Sequence, residues 1–521
     1  METVSESGSS VTVALLLGLV VVILAYLRFK STSSKKLAPG PRGLDALRGM
    51  VSALREGSLN RQAEQWSRQY GPLVLCRSAV GDLCVLNSPR LVREMFASRE
   101  TEHLTNNRPR CFVGWFALYD FRDVIVSSPQ YRPEWPKMRK MFHQAIKFYG
   151  DGVERMESKV MEELRRLTTE LEADCGQDVD MDHVISTSAM RIVLTLVTGE
   201  CPDPEVAARA KLLNDLTNEM FSPITDTLLT AFPWLRHLPL LPYRKLCRDV
   251  ITTRDCLMHD LFTEPKATHV RGQPRGIVDV LLDEQEKEEN QWMTDDHIRG
   301  LVLNIIAAAV STSTQTLKAL FLYLTHNPEV ARKLQDEIDS KIGKRTPRLQ
   351  DMSDLPYAEA VTWETLRLAS PASMGLPHLT TDDVTVDGYI VPKGATVFAN
   401  ILGFHHDPEI FSDPEAFHPE RFLDDEGQML PANDPLRQSM IAFGVGKRSC
   451  VGESFARSRV FLYVTTLLQQ FDVLPPTQHE LLPVTRSSWK NGIVLELKPY
   501  HAVFRPREHT QHVTPHRSTQ S

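Results

Sequence analysis

Apolar residues recur at the three-to-four spacing of one helix face through Gly152 to Ala173, Asp182 to Leu196, Val206 to Met220, Asp295 to His326 and Pro328 to Ile342. That spacing predicts helices over those stretches. Short apolar or alternating runs at Leu73 to Cys76, Leu83 to Leu86, Val384 to Val386 and Thr396 to Ala399 predict strands. The pattern describes a mainly α protein with a small β portion. There is no internal repeat and no long low-complexity stretch.

One stretch is apolar on every face. Val11 to Leu27 (VTVALLLGLVVVILAYL) holds seventeen uncharged residues, reaching about 25 Å as a helix, the short end of a bilayer span. Glu2 and Glu6 precede it, and Arg28, Lys30, Lys35, Lys36 and Arg42 follow it. The positive-inside rule then places the long C-terminal body in the cytosol. A cleaved signal peptide would need a basic start and a small-x-small site; here the start is acidic and the flank reads LAYLRFKS. A core helix would show a polar face. The expected organisation is a lumenal stretch at 1–10, a transmembrane anchor at 11–27, a basic linker and Pro39-Gly40-Pro41 hinge at 28–42, a main domain at 43–507, and a polar, disordered tail at 508–521. Phe232 to Tyr243 (FPWLRHLPLLPY) reads as an apolar loop, either a second membrane contact or a buried connector.

Charge and cysteines exclude several classes. Lys and Arg total 59 against 66 Asp and Glu, a net charge of −7, so nothing points to a nucleic-acid partner. The eight cysteines, Cys76, Cys84, Cys111, Cys175, Cys201, Cys247, Cys256 and Cys450, include no C-x-x-C and no zinc spacing. Neither a disulfide framework nor a zinc site fits, and a reducing compartment does.

Phe443 to Gly452 reads FGVGKRSCVG. A thiolate approaching the iron of a flat macrocycle needs a tight loop, and Gly444, Gly446 and Gly452 allow unusual angles and close approach. The helix expected after Cys450 would favour thiolate over thiol through its N-terminal dipole and free N–H groups. Arg448 would pair with a carboxylate of the macrocycle.

This segment resembles the signature F-x-x-G-x-R-x-C-x-G of the cytochrome P-450 superfamily. Three other motifs occur in the expected order. Glu364-Thr-Leu-Arg367 resembles the E-x-x-R motif, Phe417-His-Pro-Glu-Arg421-Phe the P-E-R-F segment, and Trp135-Pro-Lys-Met-Arg139 the W-x-x-x-R motif. The resemblance spans Pro39 to Arg507, and the anchor and hinge resemble the microsomal branch with its steroid-hydroxylating and xenobiotic-metabolising members. It implies the P-450 fold behind one transmembrane helix. It also implies haem b ligated by Cys450, with Phe443, Arg448, Trp135, Arg139 and His378 around the cofactor. Glu364, Arg367 and Arg421 would form a buried structural network. Thr312 matches the threonine that steers protons to dioxygen. Two positions depart from the family pattern: Ala309 stands where glycine is usual and Ser311 where an acid is usual. Ser311, or a water it holds, would replace the acid with reduced proton delivery.

By the same resemblance the substrate pocket draws on Phe112 to Tyr119 (including Trp115 and Phe116), Phe221, Ile305, Ala308, Ala372 to Leu376, and Trp489 to Ile493. No carboxylate or guanidinium is compelled into these segments, which favours a small lipophilic substrate. The family's electrons come from NADPH through a membrane-bound diflavin reductase, with cytochrome b5 a further candidate donor. Lys137, Arg139, Lys140 and Lys447 are candidate docking residues, and the expected location is the cytosolic face of the endoplasmic reticulum membrane. Two alternatives stay open: a haem-thiolate isomerase, dehydratase or peroxide-using enzyme, and a non-catalytic haem-bearing binding protein.

Overall fold

The computed structural model describes residues 36–507 apart from 79–80, 123–124, 127, 149–152, 175 and 240. The expected lumenal stretch and anchor, the linker before residue 36 and the tail at 508–521 lie outside the described residues. The chain forms two compact units, each assembled from separated segments. The first comprises the chain to Pro109, Ser373–Phe404 and Gly444–Ser449; the second comprises Arg110–Ala372, His405–Phe443 and the chain from Cys450 onward.

The first unit is built on a four-stranded mixed sheet. Leu73–Ser78 and Gly81–Leu86 form an antiparallel hairpin, Thr396–Ala399 runs parallel to the latter, and His378–Leu379 pairs antiparallel beyond it. Val74 and Cys76 pack with Ala46 and Trp66 of the helices Gly43–Glu56 and Leu59–Tyr70. Val384–Val386 and Tyr389–Val391 form a second hairpin through Asp387 and Gly388, at φ 52° and 72°, the positive angles that match strand twist in a two-residue turn. The Pro39-Gly40-Pro41 segment, expected to turn the chain, lies along Leu73–Ser78 instead. Leu75 N–H donates to Pro39 O at 2.7 Å and Arg77 N–H to Pro41 O at 3.0 Å. A Cβ on Gly40 would sit 2.4 Å from Leu75 O, so only glycine permits that approach.

The second unit is helical and centred on Asp295–His326, with the bounds its periodicity predicts. At its start Thr294 N–H donates to His297 Nδ1 at 3.0 Å. At its end Pro328 opens the next helix, Pro328–Lys341. The long helix packs against Met181–Thr198, Pro356–Ala369 and Glu453–Gln470. Among the described residues it alone is long and apolar enough to cross a membrane, yet 72% of its apolar window is buried inside the protein, so it is a core helix. Of the other predicted helices, Pro328–Lys341 starts where expected and Val153–Ala173 ends where expected, while two start slightly earlier. Asp180 accepts from Asp182 and His183 N–H and starts one at Met181, and Pro204 occupies the first turn of another. A three-stranded sheet pairs Asp178–Asp180 and Phe471–Leu474 with His501–Pro506. The Phe232 to Tyr243 loop is not a buried connector. It winds into a 3-10 turn, Pro233–His237, none of whose residues is buried, and Trp234 is 57% exposed.

Candidate active site

Cys450 precedes by two residues the Gly452 that caps the helix Glu453–Gln470. Its N–H donates to Phe443 O at 2.8 Å. Between them Gly444 and Gly446 have φ of 70° and 71°, and a Cβ on Gly446 would lie 2.0 Å from Phe96 O. Gly452 departs from expectation: its φ is −99°, so its contribution is the N–H it directs at the cysteine sulfur. The thiol is exposed at its surface. Surrounding protein raises its pKa, the Gly452 N–H lowers it, Glu453 adds to the rise and Arg139 opposes it. The helix start was expected to favour thiolate. Burial acts against it and raises the pKa overall.

Arg139 lies on the helix Glu134–Phe148, with its guanidinium 5.3 Å from the Trp135 ring centre. The Trp135 indole N–H donates to Ile125 O at 3.1 Å, so the donor assigned by resemblance to the cofactor is engaged by backbone.

Glu364 and Arg367 are both fully buried on Pro356–Ala369. Arg367 Nε and Nη2 donate to the two Glu364 carboxylate oxygens at 2.7 and 2.8 Å. Its other N–H groups reach His405 O, Pro414 O and Ala416 O, so all five donors are used. Arg421 Nε and His418 N–H also donate to Glu364, at 3.1 and 2.9 Å. A buried ion pair needs such complete satisfaction. The expected network is present and holds the Pro414 to His418 backbone.

Between Gly300 and Thr325, burial along the long helix is broken at Ile305, Ala307, Ala308, Ala309 and Thr312, most of which the helical repeat places along one stripe. Thr312 Oγ1 donates to Ala308 O at 2.6 Å, the local i−4 bond open to a helix hydroxyl. Ser311 donates to Asn214 Oδ1 at 3.0 Å, on the helix Pro204–Met220. Adjacent in sequence, the two hydroxyls are engaged in different places. Sequence reading missed Arg459. Fully buried, it donates through Nη2 to Ala309 O at 2.6 Å and to Ser313. Its Nε and Nη1 have no hydrogen-bond partner among the described residues, and burial lowers its pKa to about 10. A cation beside Phe455 in the helix after the cysteine was the available signal.

A family profile described as cytochrome P450 matches residues 39–504. The chain belongs to the cytochrome P450 family. It is 31% identical to a steroid 17-alpha-hydroxylase/17,20 lyase of Gallus gallus over 90% of this chain and 92% of that protein. It is 29% identical to a farnesoate epoxidase of Bombyx mori over 94% and 99% of the two chains. A solved zebra fish cytochrome P450 with progesterone superposes at a TM-score of 0.75 with 28% identity, covering 86% of this chain and 99% of that one. Family membership makes the protein an oxidoreductase of the monooxygenase class, in a family that binds haem through a cysteine thiolate.

In this P450 the aromatic segment departs from the expectation of an uncharged lining. Phe112 and Phe116 stack at 5.0 Å, Trp115 packs on Phe112 at 5.8 Å, and the Arg236 guanidinium lies 4.8 to 5.8 Å from all three ring centres. Burial raises the Asp226 pKa, and the Phe112 and Val113 N–H groups oppose the rise. Thr230 Oγ1 accepts from Phe112 N–H, at 2.8 Å. The lone charges in PITDTLLTAF and FPWLRHLPLL were the signals available for Asp226 and Arg236. Ile305 and Ala308 lie on the open stripe of the long helix, while Phe221 and Trp489 are half-buried against the second unit's core.

The remaining expected residues belong to the first unit. Arg448 is buried and its Nε donates to Asn106 O at 2.8 Å. Leu376 is half-exposed, and its carbonyl accepts from Arg108 at 2.9 Å. His378 stacks on Phe96 at 3.8 Å and its Nδ1 lies 2.7 Å from Thr105 O. A carbonyl only accepts, so Nδ1 carries the proton and Nε2 is bare. Burial, with Arg108 and Arg448 nearby, holds its pKa well below the ordinary value.

Proposed function

We propose that Cys450 ligates a haem and that the protein uses NADPH and dioxygen to place one oxygen atom into a lipophilic substrate. The observation that carries this reading is the cysteine itself. Its backbone is fixed to Phe443, and the Gly452 N–H and the Arg139 charge favour its anionic form. The donors of the second unit suit the cofactor: one thiol for iron, and the Arg139 guanidinium for a carboxylate of the macrocycle. Haem iron, when bound, supplies dioxygen activation.

The chain's own residues supply position and proton control. Glu364, Arg367 and Arg421 hold the Pro414 to His418 backbone, and the open stripe of small residues lets substrate approach the long helix. Thr312 holds its hydroxyl proton on Ala308 O until a better acceptor arrives. The steroid and farnesoate relatives support a steroid or isoprenoid skeleton. The anchor at 11–27 would tether the protein to the endoplasmic reticulum membrane, and exposed Leu212, Ile224, Trp234 and Leu238 would form a second apolar contact. Exposed Lys137 and Lys140, with Arg139 on the same helix, would dock a diflavin reductase, or cytochrome b5.

The test is reconstitution in lipid with the reductase, NADPH, isotope-labelled dioxygen and a panel of steroids, isoprenoid acids and aromatic compounds. Incorporation of one labelled oxygen atom, absent in Cys450→Ser, supports the reading. One observation favours a second reading: Ser311 replaces the usual acid and its hydroxyl is tied to Asn214. A haem-thiolate isomerase or peroxide-using enzyme would turn over without NADPH and dioxygen, and the same assay separates the two.

A further inference from the structure

Buried inside the second unit, His405 joins two structures that the family motifs leave separate. Its ring is fully buried and stands edge-on to Phe411 at 6.2 Å. Ser370 Oγ lies 2.8 Å from His405 Nδ1 and also donates to Arg367 O at 2.8 Å. A hydroxyl has one proton, so with that proton on Arg367 O the ring nitrogen must be the donor to Ser370. His405 Nδ1 therefore carries hydrogen and Nε2 is bare. Nε2 accepts the Ile441 N–H at 3.2 Å. Ile441 lies two residues before Phe443, whose carbonyl receives the Cys450 N–H at 2.8 Å. At the other end, His405 O accepts from Arg367 Nη1 at 2.7 Å.

We propose that His405 is a positioning residue that sets the Ile441 to Phe443 backbone, which receives the Cys450 N–H, against the Glu364–Arg367 network, and so holds the cysteine in register as a metal ligand. The ring does this as one neutral tautomer, donating at Nδ1 and accepting at Nε2. A doubly protonated ring would turn a second N–H toward that of Ile441, and a side chain without an acceptor would leave a buried backbone donor unpaired. The charged groups nearest to it, the Arg367 guanidinium and the neighbouring His406, disfavour protonation in the same direction as burial. Arg367 is itself balanced by Glu364.

The inference rests on Cys450 being the thiolate ligand, and the experiment separates the two. Haem-loaded wild type, His405→Phe and His405→Gln are reduced under carbon monoxide, and the thiolate and thiol absorption bands are followed in time, with circular dichroism as a fold check. Gln can reproduce both polarities with its amide, donating to Ser370 and accepting from Ile441. His405→Phe should convert from the thiolate to the thiol band about tenfold faster, the scale of one lost hydrogen bond, at unchanged helix content, and His405→Gln should stay near wild type. Equal lifetimes in His405→Phe and wild type overturn the proposal. So does a folded His405→Gln that decays as fast as His405→Phe. A wild type with no thiolate band overturns the Cys450 reading, and this inference with it.

Discussion

Glu364→Gln should cost more stability than any exposed charge change in this protein. Glu364 is fully buried and accepts four N–H groups: two from Arg367, one from Arg421 and the backbone N–H of His418. Glutamine keeps the shape but removes the charge, and it turns an amide NH2 toward donors. Two guanidinium groups then lose their counter-ion, one fully buried and the other with 7% of its side chain exposed. Each charge-assisted bond has a net worth of ~1.5–3 kcal/mol, but the four share one carboxylate and do not add. Breaking a buried pair costs ~3–5 kcal/mol, a third or more of the ~5–15 kcal/mol that ordinarily holds a domain folded. Urea unfolding followed by circular dichroism measures the loss. A cycle with Arg421→Gln should show the two substitutions coupled, because the second arginine no longer has its partner to lose. A loss under about 1 kcal/mol, the worth of an exposed pair, or strict additivity in the cycle, would refute the reasoning.

Gly446→Ala should abolish haem-loaded protein, since its Cβ would sit 2.0 Å from Phe96 O at φ 71°; a normal yield of the thiolate form would contradict this. Asp226→Ala removes the buried carboxylate that faces the Phe112 and Val113 N–H groups, of which Phe112 keeps Thr230 as acceptor, a loss of ~1–3 kcal/mol, and should make limited proteolysis near residues 112–119 at least several-fold faster than in wild type. Ser311→Asp should raise the fraction of reductant recovered as product, with peroxide release falling; unchanged values would remove Ser311 from proton delivery. Asp279 sets an acid limit. Burial alone would raise its pKa, but hydrogen bonds from Arg275 and His269 more than offset this and hold it below the ordinary carboxylate value. Its contribution is therefore complete above the ordinary carboxylate pKa and is lost as pH falls below it. Asp279→Asn should flatten the acid side of the stability profile, and an unaltered acid side would show that the pair contributes nothing.

Much of this protein is legible without coordinates because the relevant physics is local. The period of Asp295–His326 names its helix and both ends. The i,i+3 spacing of Glu364 and Arg367 puts them on one face. Three glycines and an arginine around Cys450 mark a tight thiol loop. Other properties depend on neighbours that arrive from far along the chain. Ser311 finds Asn214, 97 positions away, and Ser370 finds His405, 35 positions away. Arg236 stacks on Phe112, Trp115 and Phe116, and Arg459 reaches Ala309 O, through packing that no window of sequence contains. Protonation states are of the same kind. That the Cys450 pKa is raised and that of His378 lowered follows from how much protein surrounds each and which charges and dipoles face it. The sequence determined by itself the helices, the motif order and the identity of the cysteine, since these rest on backbone period and covalent spacing. Only the tertiary structure decided which hydroxyl, ring nitrogen or guanidinium meets which partner, because a hydrogen bond depends on a few tenths of an ångström between groups brought together by burial.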